Sequence, residues 1–232
     1  GMGIYEAHAR ATMGWAGGVL KNEDPNTYKL AKARVLSLGY GAAWEKFILM
    51  AARDGLDITK DDPEFVTVVD RLSGAEKQVS GYGQHSKEIV KGFRDTNPLL
   101  AGEEGIWRTL DNAMKRCVGE DFEIELPSGR KMRYEKVKCE RRIEPDPETK
   151  LPKSRSVYTA QVGGHKRNIF YGAKLAENIT QATSRDVFGG QIVAMDALGW
   201  GNLFSSHDEA ILEVDNDVTP RDVEREMSRC PE

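Results

Sequence analysis

Long apolar runs are missing from this chain. No stretch approaches the ~18 consecutive residues that a bilayer-spanning helix requires, and no charged-then-apolar leader opens it. A membrane protein is not expected, and a cytoplasmic one is. Cysteine is scarce, with 3 in 232 residues. Cys117, Cys139 and Cys230 are odd in number and widely spaced, which excludes a disulfide framework and gives no paired zinc spacing. Histidine is equally sparse, and His85 and His165 stand alone and take no role. An excess of positive charge is also wanting: 33 Lys and Arg face 37 Asp and Glu, for a net charge of −4. The chain therefore has no global field for nucleic acid. Contacts of that kind must come from local patches, such as Lys29, Lys32 and Arg34, or Lys174 and Arg185. No internal repeat is visible. What remains, 39% apolar and 30% charged, is the make-up of a soluble globular protein of one or two units, long enough to bury a core.

The hydrophobic period divides the chain. Residues 5–15 read as a helix that Gly17-Gly18 breaks. Asp24-Pro25-Asn26-Thr27 is helix-start chemistry, with Asn26 or Thr27 as the expected N-cap. That helix bends near Gly39–Gly41 and resumes over 42–50. Further helices are expected over 63–78, 85–96 and 103–118, with Asn97-Pro98 as a break. Then the period changes to two. Residues 122–126 and 131–134 alternate about the turn Pro127-Ser128-Gly129-Arg130, a hairpin signal. Residues 137–143 and 156–161 suggest a second strand pair, and 144–153, rich in proline and charge, reads as a solvated loop. A long helix over 171–198 follows, then a hairpin with His207-Asp208-Glu209 at its tip. Thr219 and Pro220 open a last short helix. The expected fold class is α+β: a helical block over 27–120, entered through 1–26, and a partial sheet layer with antiparallel hairpins over 121–232.

Three segments carry candidate chemistry. At the hairpin tip, Asp208 and Glu209 are hard oxygen donors of the kind magnesium takes, usually one or two carboxylates completed by substrate phosphates. Tyr28, Lys32, Leu36 and Tyr40 recur every four residues, and on a straight helix they form one stripe. A lysine on that stripe can meet a triphosphate, and Tyr40 at its end can pack against a base. Lys174, Asn178, Gln181 and Arg185 fall at i, i+4, i+7 and i+11. They give a face of donors and amides without an acid, suited to phosphate and minor-groove contacts. Taken singly, these segments also read as a solvated acidic turn, an amphipathic helix with snorkelling lysines, and a solvated helix face.

In this order, the segments resemble the C-terminal part of family A DNA polymerases, especially the phage and prophage type. Lys32 with Tyr40-Gly41 resembles the family's fingers helix. Gln181 and Asp186 resemble its palm-helix motif, and His207-Asp208-Glu209 its last palm motif. Residues 5–15 resemble the lead-in to the fingers, and Leu126-Pro127-Ser128-Gly129-Arg130 the family's hairpin of that sequence. The resemblance implies that Lys32 contacts the phosphates of an incoming dNTP and can donate the proton that leaves with pyrophosphate. It implies that Tyr40 closes the nascent pair, with Lys29 and Leu36 beside the nucleotide, and that Gln181 touches the minor groove near the primer end. Asp208 is then a magnesium ligand, Glu209 an auxiliary acid, and His207 a neighbour of the primer terminus. Lys174, Asn178, Gln181, Arg185 and His207 make up the implied DNA-binding set, with primer–template DNA and dNTP as partners.

The pattern departs from the family in places. Tyr28 stands where the family often has Arg; Lys29 is next to it but lacks arginine's planar fork. Leu36 replaces an aromatic, and Ser37 takes a position that is often Gly. The family's first palm motif, Asp-x-Ser-x-x-Glu, does not occur, so a two-magnesium site is incomplete in this chain. Gly1 before Met2 reads as a tag scar. The expectation is an inactive isolated chain that works with a second chain carrying the thumb and first palm motif, or a homodimer contact at the open edge of the Asp208 hairpin. A non-catalytic DNA-binding remnant of a prophage polymerase is the alternative.

Overall fold

A computed structural model describes residues 2–69, 74–146, 151–206 and 208–229. It is an α+β structure that divides into two units, Gly1–Leu110 with Gly172–Lys174, and Asp111–Tyr171 with Leu175–Glu232. No helix among the described residues is long and apolar enough to cross a membrane.

The first unit is mainly helical: α1 (Ile4–Thr12), α2 (Leu20–Glu23), α3 (Pro25–Ala33), a π-helical turn (Arg34–Leu38), α4 (Trp44–Arg53), α5 (Gln84–Thr96), α6 (Pro98–Ala101) and the start of α7 (Ile106–Arg116). The cap of α3 is Asp24, not Asn26 or Thr27. Its carboxylate accepts the Thr27 N–H at 2.9 Å and the Thr27 hydroxyl at 2.7 Å, and Pro25 fills the first turn, where no backbone donor is needed. Helix α3 is covered on two flanks, which explains its alanines. Ala31 packs with Ala9 and Leu20, while Ala33 joins Leu38, Ala42, Phe47, Val90 and Phe93.

Residues 63–78 are not a helix. They hold an antiparallel pair, β1 (Phe65–Val69) and β2 (Glu76–Ser80), in register from Phe65 opposite Ser80 to Val69 opposite Glu76. The run Val66-Thr67-Val68-Val69 is β-branched throughout, and such side chains lose χ1 freedom in a helix and fit a pleated strand. Gly74, at φ +69°, lies in the return.

The second unit contains a four-stranded antiparallel meander: β3 (Phe122–Glu125), β4 (Lys131–Pro145), β5 (Pro152–Gln161) and β6 (Asn168–Phe170). Strands β4 and β5 run further than expected, into the segment read as a loop, whose residues 147–150 lie outside those described. A bulge between Glu135 and Lys138 resets the alternation of β4. Tyr134 and Val137, three residues apart, are therefore both buried. The ring of Tyr134 stacks on Phe122 and meets Phe170 edge-on at 4.9 Å. Helix α8 (Gly172–Ala197), the hairpin β7 (Gly201–Ser206) and β8 (Glu209–Glu213), and α9 (Pro220–Met227) complete the unit. In α9, Thr219 and Asp222 form a reciprocal capping box.

Candidate functional site

Helix α8 and the β3–β4 turn meet at one carboxylate. Asp186 accepts the Ser128 hydroxyl at 2.6 Å and the Arg130 Nε–H at 2.9 Å, and an Arg130 terminal nitrogen also lies 2.8 Å from it. The same guanidinium donates to the Ala182 carbonyl at 3.3 Å. The turn is preformed for this: Gly129 takes φ +77°, which closes the Leu126–Arg130 backbone bonds. Arg130, then Ser128, hold the Asp186 carboxyl below the usual carboxylate range. Asp186 thus anchors the Leu-Pro-Ser-Gly-Arg turn, a pairing the sequence offered only as two separate segments.

The polar row on α8 is not one free face. Gln181 and Arg185 are exposed, whereas Lys174 and Asn178 are half-buried. The Asn178 amide donates to the Tyr134 hydroxyl at 3.1 Å, so one of its donors serves the interior. Gln181 donates to the Glu177 carboxylate at 3.2 Å. That acid flanks a row expected to be free of acids. The Arg185 guanidinium lies 5.9 Å from the Phe188 ring.

In the first unit, Lys29 is exposed, Lys32 and Leu36 are half-buried, and Tyr40 is exposed. The single stripe of Tyr28, Lys32, Leu36 and Tyr40 does not form. Residues 34–38 take the wider π turn and 39–41 turn out of the helix, so positions past Ala33 rotate off the α-helical line. Single π turns of this kind recur at functional sites. The turn also draws Arg34 out of the proposed surface patch. Its Nε is buried with no hydrogen-bond partner among the described residues, and burial depresses its pKa.

At the β7–β8 hairpin, Ser206 pairs with Glu209, and the register shifts between Asn202 and Phe204. The two strands pair only with each other among the described residues. Phe204 and Ile211 are cross-strand partners and both are exposed. Asp208 and Glu209 are exposed, and their side chains make no hydrogen bond or ion pair among the described residues. His207 lies outside them. No group of three or more His, Cys, Asp or Glu that could hold a metal occurs among the described residues. The hard oxygen of Asp208 suits magnesium as one ligand. Lys29, Lys32, Leu36, Tyr40 and Lys174 belong to the first unit, and Asn178, Gln181, Arg185, Asp208 and Glu209 to the second.

A protein described as a DNA polymerase, from Bacillus phage SP02, is 36% identical to this chain over 214 residues. The chain is thereby related to a DNA polymerase. The match takes in 91% of the chain but only 30% of the phage protein's length. No protein-family model matches the chain, and no solved structure matches it.

Proposed function

We propose that this chain supplies part of the active site of a family A DNA-directed DNA polymerase, which transfers a nucleotide from dNTP to a primer 3′-hydroxyl. The observation that carries the reading is the similarity to the phage polymerase over nearly the whole chain. Residues 27–120 would be its fingers and 121–232 part of its palm. Catalysis of this reaction is largely positioning and neutralisation of phosphate charge. Lys32 would supply such neutralisation: it is half-buried, and it makes no ion pair among the described residues. Lys29 adds charge one residue earlier, and Tyr40, exposed beyond the π turn, offers a ring to the nascent base pair. Gln181 and Arg185 present donors to the duplex. The Asp186 anchor fixes the turn against the same helix. Asp208 would hold magnesium, with Glu209 as an auxiliary acid, and the ion when bound supplies positive charge at the reacting phosphate.

That no Asp-x-Ser-x-x-Glu motif occurs in the sequence supports a further part of the reading. A second magnesium carboxylate must come from polypeptide beyond the described residues, from the rest of a longer protein or from a second chain. The isolated chain is then inactive. Primer extension tests this, run with the chain alone and with the remaining part of the phage relative added in trans. Extension should require both parts, and Asp208→Ala and Lys32→Ala should each abolish it. Extension by the combined parts that survives both substitutions defeats the polymerase reading. Primer–template binding that persists with no extension in any combination supports the alternative, a DNA-binding remnant.

A further inference from the structure

Residues 1–40 contain three acids, Glu6, Glu23 and Asp24, and each is already engaged. Glu6 accepts from Arg10 at 2.8 Å and from the Leu20 N–H at 3.2 Å. Glu23 accepts the Gly18 N–H at 2.9 Å, and Asp24 caps α3 through Thr27. Lys21, Lys29 and Lys32 make no ion pair among the described residues. Of these three lysines, Lys21 has no place in the site described so far.

Its position is set by its neighbours. Leu20 is fully buried with Ala9 and Ala31, which pins α2 and leaves Lys21 exposed beside it. The Lys21 ammonium lies 6.0 Å from the centroid of the Tyr28 ring, the outer limit of a cation–π contact. Tyr28 is held in turn: it is half-buried, packs on the same cluster and meets Tyr5 edge-on at 5.6 Å. Tyr28 and Lys32 both fall in the regular part of α3, ahead of the π turn. One turn apart, they share a face, with Cβ atoms ~5–6 Å from each other. Along α3 the order is therefore Lys21 over Tyr28, then Lys32, then Tyr40.

We propose that Lys21 contacts the terminal phosphate of the nucleotide whose inner phosphates Lys32 meets. The assignment rests on the nucleotide-site reading above, in which Tyr40 takes the base and Lys32 the phosphates. A base at the Tyr40 end sends its phosphate chain toward the start of α3. The phosphate furthest from the base then comes to Tyr28, where the Lys21 ammonium already stands. Lysine binds phosphate as a compact point charge on a flexible stem. Tyr28 brings no opposing charge, so moving the ammonium from ring to phosphate exchanges a weak contact for a charge-assisted bond. Lys29 lies about 100° around the helix from Tyr28 and is off this line.

Isothermal titration of the full chain with dTTP and with dTDP, at low salt with magnesium present, tests this. Lys21→Gln should weaken dTTP binding about fivefold, near the top of what an exposed charge pair contributes. It should leave dTDP, which lacks the terminal phosphate, within about twofold of wild type. Lys21→Arg keeps the charge and should hold dTTP affinity within about twofold. Both variants should melt with the wild type, because an exposed cation–π contact is weak. Lys32→Ala should weaken dTTP and dTDP alike. Equal loss on both nucleotides in Lys21→Gln, or loss on neither, overturns the role of Lys21, and the nucleotide-site reading survives if Lys32→Ala is still impaired. A wild-type chain that binds neither nucleotide, or binding indifferent to Lys32→Ala, removes that site and Lys21 with it.

Discussion

Arg130 reaches Asp186 across 56 residues of sequence and ties a tight turn to the middle of a long helix. Both partners of the contact were visible as motif residues, and their pairing was not. The Asp186 carboxyl is held below its ordinary range by Arg130 and then by Ser128. A depressed carboxylate stabilises the fold at any pH above its unfolded value, near 3.9. That contribution is lost as pH falls through the lower folded value. Asp186→Asn should therefore destabilise the protein at neutral pH, and its deficit relative to wild type should shrink in acid below about pH 4. Thermal melts across pH check this. Arg130→Ala and Asp186→Asn should also combine less than additively, because each removes the same bond.

Lys136 sits at φ 51°, the only non-glycine residue at positive φ among those described. It belongs to the β4 bulge, where its N–H donates to Asp121 at 2.7 Å. A β-branched side chain is poorly tolerated there. Lys136→Val should cost ~1–2 kcal/mol, the usual strain of a left-handed residue. Lys136→Gly relieves strain but loosens the unfolded chain, so it should lie within ~0.5 kcal/mol of wild type. Denaturant melts of the two variants separate these outcomes, and equal costs would show that the bulge is not strained.

Some elements were legible because local chemistry and packing agree. The Thr219-Pro220 start of α9 and the hairpins at 122–134 and 201–213 follow from caps, turn residues and alternation. Others were not. The β1–β2 pair was hidden because charged residues around Val66–Val69 mimic a helical period, although the β-branched run argued for strand. The π turn at 34–38 depends on how α3 is covered on two flanks, which no local pattern records. For the candidate site, residue types were readable and their partners were not. Asn178 binds Tyr134 across 44 residues of sequence, which no local pattern records, and Glu177 meets Gln181 because they are one helical turn apart.

Gly83 bears on how Trp44 is seated, and so on stability. Alanine there meets two penalties: φ +78°, and a Cβ 2.3 Å from Trp44 Cζ3. The indole belongs to the first unit's core cluster, so it cannot move aside freely. Gly83→Ala should cost ~2 kcal/mol or more by overpacking and strain. A Gly83→Ala chain with wild-type melting temperature would mean that the Trp44 seat is loose.

His8 gives a second pH dependence, in a different window. The Thr12 hydroxyl lies 3.1 Å from His8 Nε2 and 2.9 Å from the His8 carbonyl. If its proton goes to the carbonyl, its oxygen accepts from Nε2–H, a donor that the neutral Nε2–H tautomer and the imidazolium share. Burial, and then the charge of Arg34, hold the His8 pKa below 6.5. The unfolded chain therefore takes up a proton at this position before the folded one does. The sign is that of a depressed group: the contribution is intact above about pH 6.5 and is lost as pH falls below it. Wild-type stability should decline from pH 7 to 5, and His8→Gln, which does not titrate, should flatten that decline. Removing the neighbouring charge with Arg34→Met should raise the His8 pKa, read from its imidazole NMR shifts. An unchanged His8 titration in Arg34→Met would assign the whole depression to burial and remove Arg34 from the account.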